Sequence, residues 1–215
     1  MNVLLFGPPG SGKGTQARDL STRLGAPHVA TGDIFRKHLR EGTELGQLAR
    51  SYMEKGVLVP DSVTCDLVAW RLLEPDAVGG VLFDGFPRSV PQASWLVGWL
   101  GERGRKVDAV INLRVPDALI LERMSGRRTC KSCGEPYHVR YNPPPGGVCA
   151  KCGSADVVQR ADDSESVVIE RLQVYASQTF PCIEVLRAEA PVLDVDGVGD
   201  IAVVRSRIFA ALNLG

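Results

Sequence analysis

Short apolar, mostly β-branched runs recur along the chain at Val3–Phe6, His28–Ala30, Val81–Asp84, Ala109–Val115 and Val192–Val195. Strands of a buried parallel sheet read this way, because both faces are covered. Between them lie helical patterns at Lys13–Leu24, Ser62–Leu73, Pro91–Arg103, Asp117–Met124, Ser164–Glu189 and Ile201–Leu212. Strand followed by helix, repeated, predicts an α/β fold on a parallel sheet. Two stretches break the alternation. Residues 31–60 are polar and helical, interrupted by Gly32, Gly42, Gly46 and Gly56. Residues 127–163 carry the run Asn142–Gly147 and little helical periodicity. Both read as insertions projecting from the edge of the sheet. That divides the chain into a core of 1–30, 61–126 and 164–215, and two inserted segments.

Composition narrows the class. A chain of 215 residues allows one domain with large insertions and a core that needs no disulfide staples. With 44% hydrophobic and 23% charged residues it is a globular composition, not a disordered one. Lys plus Arg and Asp plus Glu both number 25, so a broad basic surface for nucleic acid or acidic membrane is not expected. Arg outnumbers Lys by 19 to 6, which suits bidentate phosphate contacts at a local site. No apolar run is long enough to span a membrane, and Met1–Phe6 lacks the basic start of a secretory signal. The expected compartment is the cytoplasm.

Candidate chemistry is concentrated in four places. Gly7-Pro8-Pro9-Gly10-Ser11-Gly12-Lys13-Gly14-Thr15 follows a strand and opens a helix, the context of a P-loop. Glycines let backbone N–H groups converge on phosphate oxygens, the helix N-terminus adds partial positive charge, and Lys13 adds a full one. Gly14 stands where a hydroxyl residue usually follows the lysine, so direct magnesium ligation by Thr15 is weakened. Val81-Leu82-Phe83-Asp84 ends an apolar strand in a carboxylate placed to hold magnesium or its waters, with Arg88 just beyond. Many strands end in Asp; beside a P-loop the reading gains weight.

Cys130-Lys131-Ser132-Cys133-Gly134 and Cys149-Ala150-Lys151-Cys152-Gly153 are two C-x-x-C-G pairs with fifteen residues between them. That spacing predicts a four-cysteine zinc site, with a redox pair or an iron site as the alternatives. His138 lies between the pairs, but four thiolates already complete a tetrahedron. The fourth feature is a set of arginines: Arg36, Arg88, Arg123, Arg127, Arg160 and Arg171. Each alone reads as a solvated surface charge. Their placement in or beside the insertions and at a strand end suggests a polyphosphate pocket.

Together, Gly7–Gln16, Thr31–Arg36, Asp84–Arg88 with Gln92, Gly126–Arg128, Arg160–Asp163 and Arg171 resemble the adenylate kinase family, in its long form with a zinc-bearing lid. The resemblance spans nearly the whole chain. It implies a five-stranded parallel core of the P-loop nucleoside-monophosphate kinase type, with two mobile insertions, 31–60 for AMP and 127–163 as lid. It implies that Gly10, Ser11, Gly12, Lys13, Gly14 and Thr15 hold the ATP phosphates. Arg123 and Arg127 would meet ATP, Pro136 and Tyr137 would lie near its base, and Gly199 would offer backbone to adenine. Thr31, Arg36, the backbone at Val57, Leu58 and Val59, Gly85, Phe86, Pro87, Arg88 and Gln92 would bind AMP. Arg160 and Arg171 would bridge the transferring phosphoryl group. Lys13 and Asp84, with Arg88, Arg127, Arg160 and Arg171, would form the catalytic set. The implied reaction is reversible transfer from ATP to AMP giving two ADP, with magnesium on ATP, structural zinc, and a monomer in the cytoplasm. Another nucleoside-monophosphate kinase, a P-loop NTPase switch and a nucleic-acid-binding zinc ribbon are the alternatives. Zero net charge, and the lack of an aromatic-basic cluster around the cysteines, speak against the last.

Overall fold

The computed structural model describes residues 1–214. The elements run β1 (Asn2–Phe6), α1 (Lys13–Leu24), β2 (His28–Ala30), α2 (Thr31–Arg40), α3 (Glu44–Met53), α4 (Asp61–Leu72), β3 (Val81–Asp84), α5 (Val90–Gly101) and β4 (Ala109–Arg114). They continue with α6 (Asp117–Gly126), β5 (Arg127–Cys130), β6 (Pro136–His138), β7 (Val157–Val158), α7 (Glu165–Val174), α8 (Cys182–Arg187), β8 (Val192–Asp196) and α9 (Ile201–Ala211).

All five predicted strands form one parallel sheet in the order β2-β3-β1-β4-β8. Period-2 alternation explains why β1 is apolar throughout. Leu4 and Phe6 face a cluster with Val68 and Leu72 of α4, Leu96 and Leu100 of α5 and Leu186 of α8. Val3 and Leu5 face the opposite cluster, with Ala17 and Leu20 of α1 and Val204 and Ile208 of α9. The central strand β1 therefore ends between β3 and β4, where open α/β sheets leave a ligand crevice. Cys65 and Cys182 are buried in the first cluster and act as small apolar side chains.

Predicted helix ends fall within two residues of those observed, except at one place. The expected helix Ser164–Glu189 is broken. It leaves α7, a π turn at Tyr175–Thr179 and the short α8. Pro181 is the reason: it has no N–H to donate and its ring clashes with the preceding turn. The chain widens instead, and Phe180 N–H reaches Tyr175 O at 2.7 Å. The widened turn lets the Thr179 hydroxyl donate to Arg88 O at 2.9 Å, linking it to the site.

Residues 31–60 form the helical hairpin α2–α3 beyond the edge strand β2. Residues 127–163 do not leave from the sheet's edge as expected. They follow α6, which comes after the interior strand β4. They fold into a separate antiparallel sheet in the order β6-β5-β7. Among the described residues no helix is long and apolar enough to cross a membrane.

Candidate active site

The loop after β1 is shaped by backbone that only glycine takes easily. Gly10 has a φ of 78°, and a side chain there would start 2.9 Å from the Met124 side chain. Gly12, also left-handed, caps α1. Lys13 folds back over the loop: its Nζ donates to Gly7 O at 2.7 Å and to Pro8 O at 2.9 Å. Those carbonyls hold the ammonium over the loop. Burial pushes Lys13 down from the ordinary 10.5 to about 8; Asp84 opposes the shift, and Arg88, Arg171 and Arg127 add to it. The lysine is still charged at neutral pH.

Asp84 ends β3 beside Leu5, and its Oδ2 lies against Gly14. His28 Nε2 sits 3.3 Å from the same oxygen. A cavity of about 520 Å³ opens here, lined by Lys13, Arg36, Arg88, Arg127, Arg160 and Arg171. With Arg18 and Lys151 the lining holds eight cations against the carboxylates Asp33, Asp84 and Glu135, an excess of positive charge suited to an anion. Burial, with Arg36 and Arg127 nearby, pushes Arg160 down to about 9, and burial with Arg127 and Arg88 pushes Arg171 to about 10. Such crowding is relieved when an anion enters.

Three carboxylates that the sequence reading assigned no role hold these cations in position. Asp33 pairs with Arg36, Asp162 with Arg171 at 2.9 Å, and Asp163 with Arg127 Nε at 2.7 Å. Asp163 is fully buried. All three lie inside motifs that were read for their arginines, so the residues were visible but the pairing was not. Arg160 Nε instead donates to the Thr129 hydroxyl at 2.8 Å.

A second, smaller cavity of about 60 Å³ adjoins the first and shares Arg36, Arg88 and Arg171. Thr31, Leu58, Val59, Gly85 and Gln92 line it. Thr31 Oγ1 and Arg88 Nε both donate to Gly85 O, at 2.8 and 2.7 Å. Of the residues expected around AMP, Val57, Phe86, Pro87 and Arg160 stand outside this lining, and Pro87 and Arg160 line the larger cavity instead. The Phe86 ring lies in the core against Trp95, so only its backbone is free to meet a ligand.

The residues expected around ATP divide similarly. Ser11, Gly12, Arg123, Tyr137 and Gly199 lie outside the lining of the larger cavity, whereas Gly14, Thr15 and Pro136 belong to it. Arg123 braces the loop from behind, donating to Ser11 O at 3.2 Å and to Gly197 O at 3.0 Å. Tyr137 is turned away from the cavity: its hydroxyl donates to Cys149 Sγ at 3.4 Å and accepts from Ala150 N–H at 2.7 Å. Neighbouring side chains on a strand point to opposite faces, so Pro136 and Tyr137 cannot both face a base.

The four lid cysteines converge. Cys130 and Cys152 sulfurs are 3.6 Å apart, Cys133 and Cys149 sulfurs 3.5 Å, and all four lie within 4.8 Å of one another. A tetrahedron with metal–sulfur bonds of about 2.3 Å has sulfur–sulfur edges of about 3.8 Å, so the cluster has the size of a bound ion. Gly134 N–H and Gly153 N–H return to Cys130 O and Cys149 O at 2.9 and 2.8 Å, closing the two knuckles. These four cysteines could hold a metal ion. His138 takes no part: its Nδ1 accepts from Arg140 and Tyr141 N–H.

A glycine-rich loop on the central parallel strand, an Asp at the end of its neighbour and eight cations around one cavity define a P-loop phosphotransferase of the nucleoside-monophosphate kinase type. The comparisons give the family. The adenylate kinase family model matches residues 5–190. The chain is 50% identical over 214 residues to an adenylate kinase of Moorella thermoacetica, covering 99% of this chain and 98% of that protein. It is 51% identical over 198 residues to one of Clostridium perfringens, covering 92% and 91%. It is 46% identical to one of Caldicellulosiruptor saccharolyticus over the full length of both. The chain belongs to the adenylate kinase family, and its reaction is phosphoryl transfer from ATP to AMP.

Proposed function

We propose that ATP lies in the larger cavity with its phosphates on Gly10–Thr15, and that AMP enters from the smaller one. The observation that carries this division is that Arg36, Arg88 and Arg171 line both cavities, so two phosphate chains meet among shared cations. An oxygen of the AMP phosphate attacks the γ-phosphorus of ATP. A new P–O bond forms as the bond to the β-phosphate oxygen breaks, and ADP leaves on each side. The attacking oxygen is already anionic, so no general base is required. What the chain contributes is alignment and charge. Lys13 holds the donor phosphates and Arg88 the acceptor phosphate. Arg127, Arg160 and Arg171 neutralise the phosphoryl group in flight. Asp84 would be the carboxylate that holds magnesium or its waters, and the ion would supply further positive charge to the ATP phosphates. Segments 31–60 and 127–163 close over the nucleotides and exclude water, so that ATP is not hydrolysed in place of transfer.

The ion on the four cysteines is zinc, in a structural role. Four thiolates leave no open position for water or substrate. The protein works as a monomer in the cytoplasm on ATP, AMP and ADP, with no nucleic-acid or membrane partner. The test is ADP formation from ATP plus AMP, with and without magnesium, alongside GMP, CMP and UMP as acceptors. The expected result is fast ADP formation with AMP only. Equal use of another monophosphate, or ATP hydrolysis as fast without AMP as with it, overturns the reading.

A further inference from the structure

Gln92 lines the smaller cavity and is almost fully buried. Its carboxamide is held at both ends. Oε1 accepts from Arg88 N–H at 2.8 Å, and Nε2 donates to Asp61 Oδ1 at 2.7 Å. The same Asp61 oxygen accepts the Ser89 hydroxyl at 2.9 Å. Ser89 in turn caps α5, accepting Gln92 N–H at 3.3 Å. Asp61 is the first residue of α4, where the helix's partial positive charge favours a carboxylate.

A primary amide is nearly symmetric in shape, yet turning it over exchanges its donor and acceptor. Purine edges differ in the same way. Adenine offers an acceptor at N1 and a donor at N6. The 6-oxopurines, guanine and hypoxanthine, offer a donor at N1 and an acceptor at O6. One amide orientation therefore pairs with adenine, and its reverse pairs with a 6-oxopurine. At Gln92 the choice is forced. A backbone N–H can only donate, so it demands the amide oxygen; an ionised carboxylate can only accept, so it demands the amide nitrogen. The reversed amide would set N–H against N–H and oxygen against carboxylate. One Nε2–H and one Oε1 lone pair remain for a base.

We propose that Asp61 is a positioning residue that determines specificity: it fixes the donor–acceptor order of Gln92, and so makes the acceptor site choose adenine over 6-oxopurines. This rests on reading the Gln92 cavity as the AMP base site.

The test compares kcat/KM for AMP and for IMP at saturating ATP in the parent, Asp61→Asn and Gln92→Leu. IMP carries the 6-oxopurine edge without the extra amino group of guanine, so size does not confound it. The Asn side chain can donate or accept, so it removes the carboxylate's demand for the amide nitrogen and leaves the Arg88 N–H alone to order Gln92. The expected result for Asp61→Asn is a fall of about tenfold or more in the AMP-to-IMP ratio, the size of one correctly paired base edge. It should appear mainly in the KM for the monophosphate, with the KM for ATP unmoved. If Asp61→Asn does not fold, Asp61→Ser removes the carboxylate while suiting a helix start, and the same ratio is read. A folded variant that melts earlier or turns over more slowly but keeps the parental ratio overturns the proposal. Gln92→Leu separates the two levels. If it lowers the ratio while Asp61→Asn does not, the base site stands and the role of Asp61 falls. If neither variant changes the ratio, Gln92 does not read the base, and the reading of the site falls as well.

Discussion

The five-stranded core and the small sheet of residues 127–163 are both β structure, yet different forces hold them. In the core, Leu4, Leu82, Phe83, Leu96 and Ile111 are fully buried, and each such side chain contributes about 1.5–3 kcal/mol. The small sheet has strands of four, three and two residues. Its buried cluster is Cys130, Tyr137 and Cys149, with Cys133 and Val157 against it. Three of those five are candidate metal ligands, so little apolar burial remains once the metal is gone. Structural zinc in small domains supplies about 10–16 kcal/mol, more than that cluster can. The lid touches the core partly through exposed ion pairs. Arg18, whose side chain is 65% exposed, meets Glu135 at 2.8 Å, and such a pair contributes about 0–1 kcal/mol. Apolar burial gives a rigid platform for the P-loop. Residues 127–163 have no comparable apolar core, and they meet the rest of the chain through exposed pairs such as Arg18–Glu135 and through the mostly buried pair of Asp162 with Arg171.

The comparison breaks most severely at Lys13. It bonds to loop carbonyls and adds little to the core. Lys13→Ala should keep the parental melting temperature to within a few degrees while turnover falls by about 10²–10³, as for loss of a preorganised charge contact. Steady-state kinetics and a melting curve on one preparation check this; near-parental turnover contradicts it.

A smaller effect sharpens the same contrast. Lys13 is pushed down to about 8 when free, by burial first. ATP phosphates stabilise the charged form and raise it again. Below pH 8 the lysine is protonated with or without ATP, so no proton moves. Above it, binding must take up a proton, and ATP affinity should weaken as pH rises through about 8. Calorimetric titration at pH 9 in two buffers of different ionisation enthalpy reads the uptake directly. Identical heats in both buffers would show that Lys13 does not titrate there.

The sheet was legible chiefly because β1, β3 and β4 are largely apolar, buried runs, as burial on both faces requires. The lid strands were not, since two to four residues carry no periodicity to read. The break at Pro181 follows from a residue plainly visible in the chain, but a strong helical pattern on either side hid it. The cations of the site could be found from motifs. Asp33 sits one i,i+3 step from Arg36, but the other pairings are set by tertiary folding: Asp162 and Arg171 are 9 residues apart, and Arg127 and Asp163 are 36 apart. That the Tyr137 side chain turns to Cys149 and Ala150 follows from strand alternation, which a three-residue strand does not announce.

The most direct test of the division between a burial-held core and a metal-held lid is amide hydrogen exchange on Cys130→Ser/Cys149→Ser beside the parent, with metal content measured on both. The account predicts that the variant binds no zinc and loses protection throughout 127–163. Protection of β1, β3 and β4 should be retained, and turnover should fall far less than in Lys13→Ala. Parental protection across 127–163 in metal-free protein would contradict it, as would exchange that rises equally in lid and core.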